Sequence, residues 1–249
     1  MKSFCIGLLL SCMGAAGAVA APLNARRPAT PCYYQLRVYH VSQAQLPGLE
    51  QFMETAFVPA LHRAGIMAVG VFSTIQPDTI ASVYVLIPLK NLDAWLKLDH
   101  TLAGDTVLTG KGVAFDHPPY ARMESILLRA FPDMPAPAVP DLKAPKSERV
   151  YELRSYESAT EALHQNKVRM FNEGGEVTLF HRLGFNAVFY ADVLSGAHMP
   201  NLMYMTTFES KADRDQHWQT FGNDPTWKKL VSAPAYQHNV SRADIIFVR

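Results

Sequence analysis

The feature that most constrains this chain is that its pattern is written twice. YQLRVY at residues 34–39 returns as YELRSY at 151–156, and Phe52-Met53-Glu54 returns as Phe171-Asn172-Glu173. His62-Arg63-Ala64-Gly65 returns as His181-Arg182-Leu183-Gly184, and Val83-Tyr84-Val85 is matched to Met203-Tyr204-Met205. Both copies end alike, at residues 122–129 and 242–249. The matches keep one order and their spacing drifts by only three residues, which marks an internal duplication. Between the copies, residues 131–149 carry Pro132, Pro135, Pro137, Pro140 and Pro145, a spacing that resists helix and sheet and gives an extended, semi-rigid linker.

Each copy reads as β-α-β-β-α-β. Residues 33–40 alternate and are rich in aromatic and β-branched types, as a strand requires. Leu46, Leu49, Met53, Phe57, Ala60 and Leu61 recur at helical spacing, and Gly65 follows where a left-handed cap needs no Cβ. Strands are expected at 66–75 and 82–88 around a turn at Gln76-Pro77-Asp78, then a helix through Leu92, Trp95, Leu96 and Leu98, then a strand at 123–130. The second copy predicts a strand at 150–157, one helix over 161–183 ending at Gly184, and strands at 185–193 and 202–208. A helical region from Lys211, broken near Asn223-Asp224-Pro225, and a last strand at 245–248 complete it. The order is α+β and ferredoxin-like. Such a sheet carries both helices on one face and leaves the other bare. Two bare faces in one chain can cover each other, so modules 33–130 and 150–249 are expected to close into one pseudo-symmetric α/β barrel. A barrel closed within one chain implies a monomer or a weak homodimer.

The N-terminus points to export. Lys2 precedes an apolar run from Phe4 to Leu10 and a small-residue stretch ending Ala18-Val19-Ala20, the pattern of a signal peptide over residues 1–20. Leu9-Leu10-Ser11-Cys12 loosely resembles a lipobox, so anchoring through Cys12 is the alternative to a free periplasmic or secreted chain. No later stretch is long enough to span a bilayer. After cleavage only Cys32 remains, so packing rather than an internal disulfide must hold the fold. The 23 basic and 22 acidic residues nearly cancel, and no basic run offers a footprint for nucleic acid. None of the nine histidines falls in a metal-binding spacing, and no nucleophile elbow, phosphate-binding glycine loop or paired-cysteine motif occurs. Neither a metal nor a cofactor is therefore expected.

YELRSY, the downstream HRLG and Asn223-Asp224-Pro225-Thr226-Trp227 together resemble the NIPSNAP family, within the dimeric α/β-barrel superfamily. The resemblance covers the whole second copy. The first matches at YQLRVY and HRAG, then has Gly104-Asp105-Thr106-Val107-Leu108 in place of the Asp-Pro and Trp pattern, and its 115–120 loop is its own. What the resemblance implies about activity is modest: eukaryotic members are mitochondrial and tied to trafficking and mitophagy signalling. Elsewhere the superfamily includes cofactor-free monooxygenases and haem-degrading enzymes that use the barrel interior, an analogy of fold only.

The first strand of each copy carries the candidate binding residues. Side chains alternate across a strand. Tyr34, Leu36 and Val38 oppose Gln35, Arg37 and Tyr39, and Tyr151, Leu153 and Ser155 oppose Glu152, Arg154 and Tyr156. The more apolar set is expected against the helices. Arg37, Tyr39, Glu152, Arg154 and Tyr156 would then face the lumen and hold a small anionic or aromatic ligand. The competing reading is a polar network that fixes sheet pairing. For a cofactor-free oxygenase or isomerase, the acid or base would come from His181, Glu173 or Tyr156. A purely structural or interaction module is the remaining reading. His62 and His181, in last helical turns, suit the helix dipole whatever the function.

Overall fold

The computed structural model describes residues 31–75, 79–112 and 119–249. The expected signal peptide with Cys12, the turn at Gln76-Pro77-Asp78 and most of the 115–120 loop lie outside the described residues.

The first module runs β1 (Tyr33–Ser42), α1 (Leu46–Phe52), α2 (Val58–Arg63), β2 (Gly70–Ser73), β3 (Ile80–Leu89), α3 (Leu92–Ala103), α4 (Thr106–Gly112) and β4 (Arg122–Ala130). The second runs β5 (Val150–Glu157), α5 (Glu161–Phe171), α6 (Glu176–Arg182), β6 (Asn186–Ser195), β7 (Asn201–Phe208), α7 (Lys211–Asn223), α8 (Pro225–Ser232) and β8 (Arg242–Val248). Both first helices are interrupted, each for its own reason. Pro59 has no N–H to give the Thr55 carbonyl, and the helix widens into a π turn over Met53–Phe57, where the Val58 N–H reaches back to the Met53 carbonyl. The single helix expected over 161–183 is instead two. Gly174 lies so close to the preceding turn that a Cβ would meet the Met170 carbonyl at 2.5 Å, and Gly175 is left-handed at φ 82°. Gly65 and Gly184 do take the left-handed cap, at φ 84° and 78°.

All eight strands form one antiparallel sheet in the order β2-β3-β1-β4-β6-β7-β5-β8. Each module contributes four neighbours, and β4 joins β6 with Arg129 opposite Asp192 and Leu128 opposite Val193. The two ends of the sheet meet where Thr74 bridges Val248, flanked by reciprocal backbone bonds of 3.0 Å between Ser73 and Arg249. Equivalent strands thus form both seams, and the fold is a dimeric α/β barrel made by one chain. The linker is pinned across one end. Pro135 accepts the Cys32 N–H at 2.8 Å, Ala138 donates to Val188 at 3.0 Å, and the Glu209 carboxylate receives the N–H groups of Lys143 and Ala144.

The lumen is apolar and full. Leu36, Val38, Leu128, Leu153, Phe189, Met203, Met205 and Val248 pack there, each at most 5 % exposed. This overturns the expected facing of the first strands. Tyr34, Leu36 and Val38 point into the barrel, while Arg37 and Tyr39 point at the helices. An eight-stranded barrel is just wide enough for side chains to fill it, which leaves no room for the partners a charge needs. The sheet–helix layer offers carboxylates and a rim to water, so the arginines go there.

The third-strand alignment also shifts by one residue. Arg37 stands across from Val85 but Arg154 stands across from Tyr204, so Tyr204 corresponds to Val85 and Met203 to Tyr84. A one-residue slip reverses the face. Tyr84 accordingly packs in the lumen and Tyr204 under the helices.

Candidate functional site

Beneath the helices of the second module lies a layer of rings and paired charges. Phe171, Phe180, Phe185, Tyr190, Tyr204, Phe208 and Phe221 form its apolar body. Trp227 packs on Phe221 with ring centroids 4.4 Å apart, Pro225 starts α8 at the break expected there, and the Asp224 carboxylate caps the Thr226 N–H at 2.8 Å.

Four of the five expected binding residues sit at the edges of such layers, bonded to the protein itself. Glu152 is fully buried, and its carboxylate accepts from Arg154, from Arg214 of α7 and from the Trp218 indole at 3.2 Å. Arg154 stacks 3.7 Å from the Trp218 ring centroid and donates to the Tyr156 hydroxyl at 2.7 Å, which in turn meets Tyr204 at 2.9 Å. Burial alone would lower the Arg154 pKa, but facing Tyr204, Tyr156 and Glu152 outweigh it, so the guanidinium is held charged. Burial pushes the Tyr204 hydroxyl well up. In the first module Arg37 bonds Gln35 at 3.1 Å, pairs with Asp99 of α3 and lies over Phe57. Tyr39, the fifth, packs edge-on against Tyr120 and Phe57. The cluster ties sheet to helix rather than lining a lumen.

Arg214 and Trp218 lie on α7, far along the chain, and nothing in their own surroundings marks them as partners of Glu152. A second buried pair also escapes sequence reading. Lys167 of α5 and Glu176 of α6 are 5 % and 2 % exposed and meet at 2.9 Å, clamping the two helices across the glycine break. Lys167 also lies 4.7 Å from the Phe171 ring centroid. The acid, in the first turn of α6, gains from the helix dipole.

The three acid–base candidates do not share a site. Tyr156 belongs to the arginine cluster, Glu173 lines a cleft at the β4–β6 seam, and His181 lines a pocket beneath the linker. No lumen-facing acid or base comes from this trio, so the geometry does not support a reaction built on it inside the barrel. Among the described residues no group of three or more His, Cys, Asp or Glu is placed to hold a metal ion. No helix among them is long and apolar enough to cross a membrane.

The pocket holding His181 encloses about 610 Å³ between the linker and the second module. Met134 and Val139 of the linker line it together with Val177, Phe185 and Tyr190, and Asp133, Asp141 and His181 complete the polar part of the lining. Val139 is 87 % exposed, a large apolar side chain left uncovered next to the opening.

Residues 151–249 match the NIPSNAP family model. The second module is a NIPSNAP domain. A comparison with curated proteins finds no match. Among solved structures, a candidate monooxygenase from Fusobacterium nucleatum superposes with a TM-score of 0.61 at 6 % identity, covering 88 % of this chain and 92 % of that one. A candidate monooxygenase from Lactobacillus acidophilus gives 0.57 at 12 % identity over 88 % and 93 % of the two chains. An anthrone oxidase-like protein gives 0.53 at 11 % identity over 87 % and 90 %. At such identities the likeness shows the barrel fold and nothing of the chemistry. The NIPSNAP domain supplies one wall of the linker pocket, through α6 and the start of β6.

Proposed function

We propose that this protein binds a small, largely apolar molecule in the pocket between its Pro-rich linker and its NIPSNAP domain. The observation that carries the reading is the pocket itself. Its size lies within the range of small-molecule sites, and its lining is apolar with a few convergent polar groups. Phe185, Tyr190 and Val177 offer a face for a ring or alkyl body, while His181, Asp133 and Asp141 can orient a hydroxyl or amine. The linker forms the roof, and its backbone is bonded to the rest of the protein through Pro135 and Ala138 on one side and Lys143 and Ala144 on the other. A preformed roof lowers the ordering cost of binding.

The test is a thermal-shift screen of aromatic and alkyl compounds, repeated on Ala187→Trp, which places an indole in the pocket. A ligand that raises Tm in the native chain is expected to lose most of its shift in the variant. Equal shifts in the two proteins would place binding elsewhere.

A further inference from the structure

The barrel has two seams related by its pseudo-twofold axis, and they are not chemically alike. At the β4–β6 seam, Asp192 of β6 accepts from His164 Nε2 of α5 at 2.7 Å through one oxygen and from Arg129 of β4 at 3.0 Å through the other. At the β8–β2 seam the corresponding position is Ser73, whose hydroxyl donates to Glu50 at 2.6 Å. The fold does not impose the first arrangement, since the same strands meet at the second seam without it.

His164 is 8 % exposed, and its Nδ1 is buried without a partner among the described residues. The proton therefore belongs on Nε2, where it is donated to Asp192; on Nδ1 it would be a buried unpaired donor. With one donor on each oxygen, the Asp192 carboxylate is held in a fixed orientation and keeps lone pairs to offer. It lines a cleft of about 420 Å³ together with Tyr33, Arg129, Arg169, Asn172 and Glu173. Arg129 gives Asp192 only one of its terminal nitrogens, so among the described residues further N–H groups of the fork are uncommitted. Arg169 and Glu173 are exposed at the same cleft, and neither side chain has a hydrogen-bond or ion-pair partner among the described residues.

We infer that this seam cleft is a second binding site, for a small carboxylic acid that carries a hydroxyl or amino group beside its carboxylate. Arg169 and the spare N–H groups of Arg129 take the carboxylate, and the oriented Asp192 takes the neighbouring hydroxyl or ammonium. The site needs both modules, because Arg129 comes from the first and Asp192 and Arg169 from the second. It is independent of the linker pocket, which shares none of these side chains.

L-Lactate and glycine serve as probes, with acetate as the acid lacking the second group, read by saturation-transfer NMR and by calorimetry on the full chain. Lactate or glycine is expected to bind more tightly than acetate. Arg169→Ala should weaken that binding about tenfold or more, the loss of one charge-assisted contact. Being exposed and unpaired, this residue can be removed without disturbing the fold, which an unchanged Tm would verify. Asp192→Asn should bring lactate down to the level of acetate, and Ala187→Trp in the linker pocket should leave all three probes unaffected. The site is wrong if neither probe binds, if acetate binds as well as lactate, or if Arg169→Ala binds like the native chain. Lactate binding lost in Ala187→Trp but kept in Arg169→Ala would move the acid to the linker pocket.

Discussion

Arg154 shows how a single side chain can look like a ligand contact and be structural instead. Its charge is spent on Glu152, Tyr156 and the face of Trp218, and the carboxylate it faces is fully buried. Removing it leaves Glu152 with Arg214 and Trp218 alone. Breaking a buried pair by deleting one partner costs on the order of 3–5 kcal/mol; retention of Arg214 puts the expected loss for Arg154→Ala near the lower end. Denaturant unfolding reads this directly, and a loss under about 1 kcal/mol, the scale of an exposed pair, would show the cluster is not structural. Arg154→Lys should recover only part of the loss, since an ammonium cannot stack on Trp218 and bond two partners in one plane. The pairs Arg63–Asp105 and Arg182–Asp224 make a quieter point. Each aspartate also caps the following helix, so the first copy keeps the aspartate even where it lacks the Pro and Trp. The Arg63 guanidinium, with the Leu108 N–H, holds the Asp105 carboxyl down to about 2. Because that folded value is depressed, its contribution to stability is present above the ordinary 3.8 and is lost as pH falls through about 2. Asp105→Asn should therefore flatten stability against pH between these limits. A curve unchanged in shape would show that the pair does not couple to folding.

Helices and strands differ in how much of themselves they announce. Helical periodicity marks the first copy's first helix correctly in place and in buried face, and the second copy's helix is expected over the right stretch, but neither interruption is foreseen. The π turn comes from Pro59, and the break at Gly174-Gly175 from a close approach of backbone to backbone. A methyl group at Gly174 would sit 2.5 Å from the Met170 carbonyl oxygen, which cannot swing away as a side-chain end would. Gly174→Ala should destabilise by about 1–3 kcal/mol, the cost of forcing a backbone shift in a packed region. Gly48→Ala provides the contrast, because nothing lies within 4 Å of its added Cβ. It should be neutral or slightly stabilising, since alanine is the better helix former by up to about 1 kcal/mol. Thermal unfolding of the two variants checks the pair, and equal Tm values would remove the steric account. Strands are harder, because alternation marks two faces without saying which is inside. Both faces of β1 are buried, and hydropathy alone does not distinguish a lumen from a sheet–helix layer.

At the scale of the molecule, two half-barrels are joined by strand edges, a shared apolar lumen and a linker bonded to both. Residues 150–249 alone would expose the edges of β6 and β8 and the lumen side chains Leu153, Phe189, Met203 and Met205. Unpaired edges and a bare apolar face are strong drivers of association. The isolated segment is expected to dimerise or precipitate, whereas in the full chain the partner sheet is present at high effective concentration. Light scattering on the two species decides it: a folded, soluble monomer of the segment would mean its sheet does not need the first module.

The sequence by itself determined the duplication, the order of elements, the two glycine caps, the family of the second copy and the closing of one sheet on another. These follow from local pattern: periodicity, turn chemistry and repeat spacing are written in neighbouring residues. Tertiary structure alone decided which face of each strand is inside, since both faces meet apolar layers and only the lumen forbids a charge. It alone decided that Tyr84 and Tyr204 part company, because register is set by cross-strand pairing rather than by alignment of the copies. It also decided that Arg129, His164 and Asp192 meet. They come from one strand of the first module and from a helix and a strand of the second, and only closure of the seam brings them together.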